Sequence, residues 1–309
     1  MSFFLAVASQ TSSCYLRQDG LEGDVTLLNV FRENALIASL EIGDEELAEI
    51  GLILEMHRNF SISVYKDKCM KRRVAIRMRS CRCLDAAAYC NLLRHSEQEL
   101  DLLKKTLTIH VSQFFRNPSM FAKLQTDIFP YLFHKARTER KNLRFRSLGC
   151  AGGEEAYSLG IILREFFPLE LLQTPTEICA SDIDADILQV AMRAEYIEER
   201  LKDLPDNIRD RYFVPNGSRM LLSQDIRNMV SFHQQSIIDV DSFEPCQLAL
   251  CRNTLIYFTK PEQERILRGI AHIMPVGGIL VLGKSETLVG DTRKLFTNVC
   301  QVERIYRRI

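Results

Sequence analysis

From residue 143 onward the chain alternates short apolar runs with helix-like stretches, and this alternation most narrows what it can fold into. "LRFRSLGC" reads as a strand and "EEAYSLGIILREFF" as a helix that Pro168 stops. "TEICASDID" is a second strand ending in acids, and "ADILQVAMRAEY" a second helix. "MVSFHQQSI" and "CQLALCRN" follow as a third and a fourth strand. "PEQERILRGIAHIM" is a helix with proline at its start, where the missing N–H costs nothing. "GGILVLGKSE" and "VCQVERIYRR" finish as strands. Strands separated by helices predict a mostly parallel sheet covered on both faces. Residues 208–230 break the alternation. Their Pro215-Asn216-Gly217 turn between short apolar runs predicts a small inserted antiparallel β-subdomain.

Upstream the character is different. Residues 43–116 read as helical, opening with Asp44 as an N-cap and acids in the first turn. The expected division is an N-terminal extension over 1–40, a helical domain over 41–125 and an α/β domain over 126–309. Within the extension, Leu27, Val30, Phe31 and Leu36 recur at near-helical spacing over residues 21–40. Residues 66–82 carry Lys66, Lys68, Lys71, Arg72, Arg73, Arg77, Arg79 and Arg82 against Asp67 as the only acid. Val74, Met78 and Cys81 fall at helical spacing there and predict a buried stripe. The cations are either a solvated face or a surface for an acidic partner. Lysine plus arginine and aspartate plus glutamate are both 40, so net charge is formally zero. With no interleaving of aromatic and basic residues, nucleic acid is not an expected partner.

The ten cysteines form no CxxC pair and do not cluster with the six histidines. A zinc site is therefore not expected, and reduced thiols in a cytoplasmic protein are. The first residues, "MSFFLAVASQ", have no basic residue before their apolar run and make a poor signal peptide. No run approaches the roughly 18 apolar residues of a membrane span, so direct membrane insertion is not expected.

The chemistry concentrates at strand ends. In an open parallel sheet, ligands bind beyond the carboxyl ends of the strands, near the point where strand order reverses. The first strand ends in "GCAGGEE" and the second in "ASDID". Neither GxGxxG nor GxxxxGK[ST] occurs, and carboxylates at both ends argue against a pyrophosphate. They suit a ligand that offers hydroxyl and ammonium donors. S-adenosylmethionine carries a ribose diol, an ammonium and a sulfonium, and glycines at the first turn would let the backbone approach it. The plainer reading is a tight turn with acids favoured by the helix dipole and by capping.

Taken together, "SQFFRNPSMF", "SLGCAGGEEAYSLGI", "ASDIDADIL", "CRNTLIYF" and "PVGGILVLGKSETL" resemble, in order and spacing, the CheR family of chemotaxis receptor methyltransferases. The likeness covers residues 43–309. It implies a Rossmann-like class I methyltransferase domain after an all-helical domain, with S-adenosylmethionine as cofactor and S-adenosylhomocysteine as product. It implies methylation of glutamate side chains on membrane chemoreceptors, whose acidic helices the basic helix would meet. The implied setting is the cytoplasm, at receptor arrays on the inner membrane. Carried over one at a time, the cofactor contacts fall on His110, Ser112, Arg116, Glu155, Asp182, Ser236, Ile237, Cys251 and Arg252. Arg116 and Tyr257 fall at the transfer site. His110, Asn117, Ser236, the pair Cys246-Gln247 and Lys284 depart from the family's usual residues. Of these, His110, Asn117 and Ser236 keep open a non-catalytic, cofactor-binding signalling adaptor of the same fold.

Overall fold

The computed structural model describes residues 42–108 and 110–309, so the helix expected over 21–40 lies outside the described residues. Four helices come first: α1 (Asp44–Arg58), α2 (Asp67–Ser80), α3 (Ala86–His95) and α4 (Glu97–Leu107). Gly43, rather than Asp44, is the N-cap of α1; its N–H donates to the Glu46 carboxylate at 2.7 Å, and the acids of the first turn meet the helix dipole. These helices bury their own core, including Ile50, Leu54, Val74, Met78, Tyr89, Leu93 and Leu103. Inside it Glu99 accepts from Nε and Nη2 of Arg77, at 3.0 and 2.6 Å, and from Tyr89 at 2.8 Å. Burial alone would push this carboxyl up; the hydrogen bonds outweigh it and hold it low.

Helicity stops at Leu107. The next stretch, up to Asn117, contains no helix among the described residues, whereas the sequence predicts one as far as 116. Then α5 (Pro118–Lys123) passes through a π turn (Leu124–Ile128) into α6 (Phe129–Glu139). Met120, Phe121 and Leu124, within the expected helical domain, pack in the core of the sheet.

The sheet domain follows the expected alternation: β1 (Leu143–Leu148), α7 (Glu154–Phe166), α8 (Pro168–Gln173), β2 (Thr176–Asp182), α9 (Ala185–Arg193), β3 (Glu195–Tyr196), α10 (Asp206–Tyr212), β4 (Phe213–Asn216), β5 (Arg219–Leu222), α11 (Gln224–Arg227), β6 (Val230–Gln234), β7 (Leu248–Cys251), α12 (Lys260–His272), β8 (Ile279–Leu282), β9 (Phe296–Cys300) and β10 (Ile305–Arg308). Pro168 ends α7 but also opens α8 at its first turn. The last predicted strand is two strands, β9 and β10, paired antiparallel. The main sheet has the order β6-β2-β1-β7-β8-β10-β9, parallel from β6 to β8 and antiparallel at the β10–β9 edge. A second sheet has the order β3-β5-β4, so the hairpin around Gly217 gains a third strand from residues just after α9.

Side chains alternate across the main sheet with period two. Leu248 and Leu250 enter the core shared with Phe129, Leu159 and Ile162. Ala249 and Cys251 enter the opposite core with Ile266, Leu267 and Ile270 of α12. Strand order reverses at β1, whose neighbours are β2 and β7, so the carboxyl ends of these three strands are where a ligand site is expected.

Candidate functional site

A cavity of about 910 Å³, counting its open mouth, lies at that place. Its floor is the turn after β1. Gly149 has φ of 72°, and a Cβ there would stand 2.6 Å from the Thr254 hydroxyl, so only glycine fits. The N–H groups of Gly149 and Cys150 donate to the Ser181 carbonyl at 2.8 and 2.9 Å and lock the ends of β1 and β2 together. Gly149, Cys150 and Ala151 line the cavity; Gly152 and Gly153 do not. Gly153 has φ of 85°, and its missing Cβ leaves room for Phe232 at 2.9 Å and Ala191 at 3.1 Å. The glycine pair therefore serves turn geometry and helix–sheet packing, and close ligand approach falls to Gly149.

The acids separate clearly. Glu155 lines the cavity, accepts from Ser147 Oγ at 2.7 Å and pairs with Arg252 at 2.9 Å. Glu154 is 2% exposed and does not line the cavity; one oxygen lies 3.2 Å from Arg200 and the other has no partner among the described residues. Burial pushes its carboxyl up. Asp182 accepts the Ala151 N–H on one oxygen at 2.9 Å and the Asp184 N–H on the other at 3.1 Å. Each oxygen thus keeps lone-pair capacity for a ligand hydroxyl. Asp184, the second acid of "SDID", caps α9 through the N–H groups of Asp186 and Ile187.

Arg252 is the hinge of the site. It is buried, donates to Glu155, and donates at 2.7 Å to both the Arg116 carbonyl and the Asn117 side-chain oxygen. Its guanidinium stands 5.7 Å from the Phe121 ring centre. It therefore ties the end of β7 to α7 and to the strap over residues 110–117. Arg200 grips the same strap from the second sheet's side. It donates to the Ser112 and His110 carbonyls and takes the Phe114 N–H on its own carbonyl.

His110, Ser112, Arg116, Glu155, Asp182, Ile237, Arg252 and Tyr257 all line the cavity. His110 Nε2 lies 3.8 Å from Asp182 and 3.6 Å from Asp184. Among the described residues, the Arg116 guanidinium donates to the Val111 carbonyl, at 2.9 Å, and to no acid. Burial pushes the Tyr257 hydroxyl up, and it has no hydrogen-bond partner among the described residues. Ser236 and Cys251 do not line the cavity. The Ser236 hydroxyl instead accepts the Ile238 N–H, and strand alternation turns the Cys251 thiol into the core under α12.

The sequence reading missed four groups. Tyr65 and Thr108 reach the cavity from the helical domain. Gln235 lines it with a buried side-chain oxygen that has no partner among the described residues, an acceptor left for a ligand donor. Glu286 of "GKSETL" is 4% exposed and accepts the N–H groups of Gly283, Asn253 and Ile256 at 2.7, 2.9 and 3.2 Å. It fixes the loop that carries Asn253, whose φ is 58°, and Tyr257. Of these, Glu286 had a sequence signal: an acid four residues past the end of a buried strand.

Among the described residues no cluster of histidine, cysteine or acid could hold a metal, no cysteine is in a disulfide, and no helix is long and apolar enough to cross a membrane. An acid-lined cavity at the strand-order reversal, without a phosphate loop, defines a nucleoside-binding domain of the class I methyltransferase kind. The model described as the CheR methyltransferase SAM-binding domain matches residues 110–304, and that of the CheR methyltransferase all-alpha domain matches residues 45–108. The chain belongs to the CheR methyltransferase family, and the orphaned Gln235 oxygen, the Asp182 carboxylate and the Gly149 cradle fit S-adenosylmethionine.

Among its relatives, a chemotaxis protein methyltransferase 2 of Pseudomonas aeruginosa is 31% identical, over 74% of this chain and 81% of that protein. A chemotaxis protein methyltransferase of Listeria innocua is 27% identical, over 77% and 88%. An uncharacterized 104.1 kDa protein of Rhodobacter capsulatus is 33% identical over 79% of this chain, which spans only 26% of that longer protein.

Proposed function

We propose that the protein transfers a methyl group from S-adenosylmethionine to glutamate side chains of chemoreceptors, forming methyl esters, in the cytoplasm at receptor arrays on the inner membrane. The observation that carries this reading is the pairing, in one cavity, of Asp182 and Glu155 with an Arg116 that has no acidic partner among the described residues. The acids suit the donors of the cofactor, and Arg116 is left for the acceptor carboxylate. Such a carboxylate, with an ordinary pKa near 4.3, is already a nucleophile at neutral pH and needs no general base. The bound cofactor supplies a methyl group on a good sulfonium leaving group. The residues have then to aim the carboxylate oxygen at roughly 3 Å and shed its water. Arg116 orients it by charge-assisted hydrogen bonds, and Tyr257, kept protonated by burial, donates one more.

The basic helix α2 supports an acidic partner in part. Arg77 turns inward to Glu99, Lys71 pairs with Asp44, and Lys66 and Arg73 donate to the backbone carbonyls of Ile256 and Thr106. Lys68, Arg72 and Arg82 are exposed, and they are the cations proposed to meet receptor helices. Labelled S-adenosylmethionine with receptor membranes should give base-labile label, at a rate that falls as salt is raised. Label that survives base would exclude a methyl ester, and no label at all would revive the adaptor reading, which family membership does not favour.

Arg116→Ala is expected to lower the transfer rate about tenfold at saturating cofactor, with S-adenosylhomocysteine affinity changed less than about threefold. Calorimetry alongside the rate assay separates the two. Full activity in this variant would remove Arg116 from acceptor positioning.

A further inference from the structure

We propose that Tyr65, delivered by the helical domain, is a cofactor-binding residue whose hydroxyl donates to the ribose edge that Asp182 holds. The inference rests on the cofactor reading of the cavity given above and adds a contact from outside the sheet domain.

Tyr65 sits in the short link between α1 and α2 and lines the cavity together with Asp182 and Ile183. Its position is fixed from three directions. The ring stacks on Phe258 with centroids 4.7 Å apart and on Phe60 at 5.8 Å, a column joining the two domains. Its backbone pairs with Phe258 in an antiparallel bridge. On either side, Lys66 N–H donates to the Tyr257 carbonyl at 2.8 Å, and Thr259 N–H donates to the Val64 carbonyl at 3.0 Å. The ammonium of Lys66 adds a bond to the Ile256 carbonyl at 2.7 Å. The link is therefore stitched to the loop that presents Tyr257.

Phenylalanine would supply all of this stacking and pairing. The hydroxyl is the part that packing does not explain, and it has no hydrogen-bond partner among the described residues. Burial first, and then the negative charge of Asp182, push it up to about 12, so it is a donor at neutral pH. Tyr65 and Asp182 line the same cavity, and no hydrogen bond joins them there, so a third group can engage both. A ribose diol can accept from the phenol while donating to the carboxylate.

The test is calorimetric titration of the full chain with S-adenosylhomocysteine and with its analogue lacking both ribose hydroxyls. Tyr65→Phe removes one atom from a stacked ring and should melt within about 2 °C of wild type. It is expected to bind S-adenosylhomocysteine about five- to tenfold more weakly, the effect of one hydrogen bond. Its affinity for the deoxygenated analogue should equal that of wild type. Unchanged S-adenosylhomocysteine affinity in the variant would overturn the proposal, as would an equal loss with both ligands. If wild type itself fails to bind S-adenosylhomocysteine, the cofactor reading of the cavity falls first.

Discussion

Arg252→Ala is expected to lower the melting temperature by on the order of 10 °C and to abolish tight S-adenosylhomocysteine binding. Arg252 is 7% exposed and satisfies three acceptors on two different elements. Removing one partner of a buried ion pair typically costs about 3–5 kcal/mol, because the other charge is left uncompensated. For a domain of this size each kcal/mol is worth roughly 2–4 °C. Here the stranded group is Glu155, one of the two carboxylates that face the cavity. Its side chain would turn to water or take up a proton, and either change spoils a site built for an ammonium. The strap also loses its hold at Arg116 and Asn117. Arg252→Lys should fall between, since one ammonium cannot span both Glu155 and the strap. Adding Glu155→Gln to Arg252→Ala should recover part of the stability but none of the binding, because the buried charge is gone while the ligand's acceptor stays lost. Differential scanning calorimetry and ligand titration read both effects. A melting temperature within about 2 °C of wild type would show that the pair does not hold the site together.

What the sequence made legible were features that local chemistry decides. Acids at the ends of β1 and β2 could be read because a strand–turn–helix pattern is local, and the topology of parallel sheets puts such ends together. The same locality limits what a motif can say. Adjacent residues on a strand face opposite ways, so of Cys251 and Arg252 it is Arg252 whose side chain reaches the cavity. A serine at a helix start meets the backbone ahead of it, as the Ser236 hydroxyl meets the Ile238 N–H. The break between β9 and β10 went unseen because "QVER" carries no glycine, proline or asparagine; Arg304, with φ of 54°, makes the turn instead.

The groups that were missed depend on distance along the chain. Glu286 reaches back to residues 253 and 256, and Tyr65 forward to residue 258. None of these partners follows from periodicity or capping. The charge run of α2 shows the limit plainly. Eight cations could be counted, but that Arg77 belongs to a buried Glu99 twenty-two residues on follows only once α2 packs on α4.

Asp182→Asn should separate cofactor recognition from stability, and it is expected to weaken S-adenosylhomocysteine binding at least about a hundredfold. The Asp182 carboxylate has two backbone N–H groups to satisfy, one per oxygen, and it faces the cavity with what capacity remains. Asparagine keeps one oxygen and presents an NH2 group to the other N–H, so a donor meets a donor. The carboxamide can relieve this only by rotating, which moves its oxygen away from the position a ribose diol needs. Hydrogen bonds to a charged group are worth about 1.5–3 kcal/mol each, and a hundredfold loss corresponds to about 2.7 kcal/mol. The unliganded protein should suffer less than Arg252→Ala does, because Ala151 lines the cavity, where water can meet its N–H, and no buried charge is stranded. Asp182→Ala should match the binding loss with a smaller change in melting temperature than Arg252→Ala. The two sites therefore predict opposite balances: at Arg252 stability and binding fall together, and at Asp182 binding falls nearly alone. An Asp182→Asn protein that binds S-adenosylhomocysteine within about threefold of wild type would place the ribose elsewhere in the cavity. It would also remove the acceptor on which the Tyr65 contact depends.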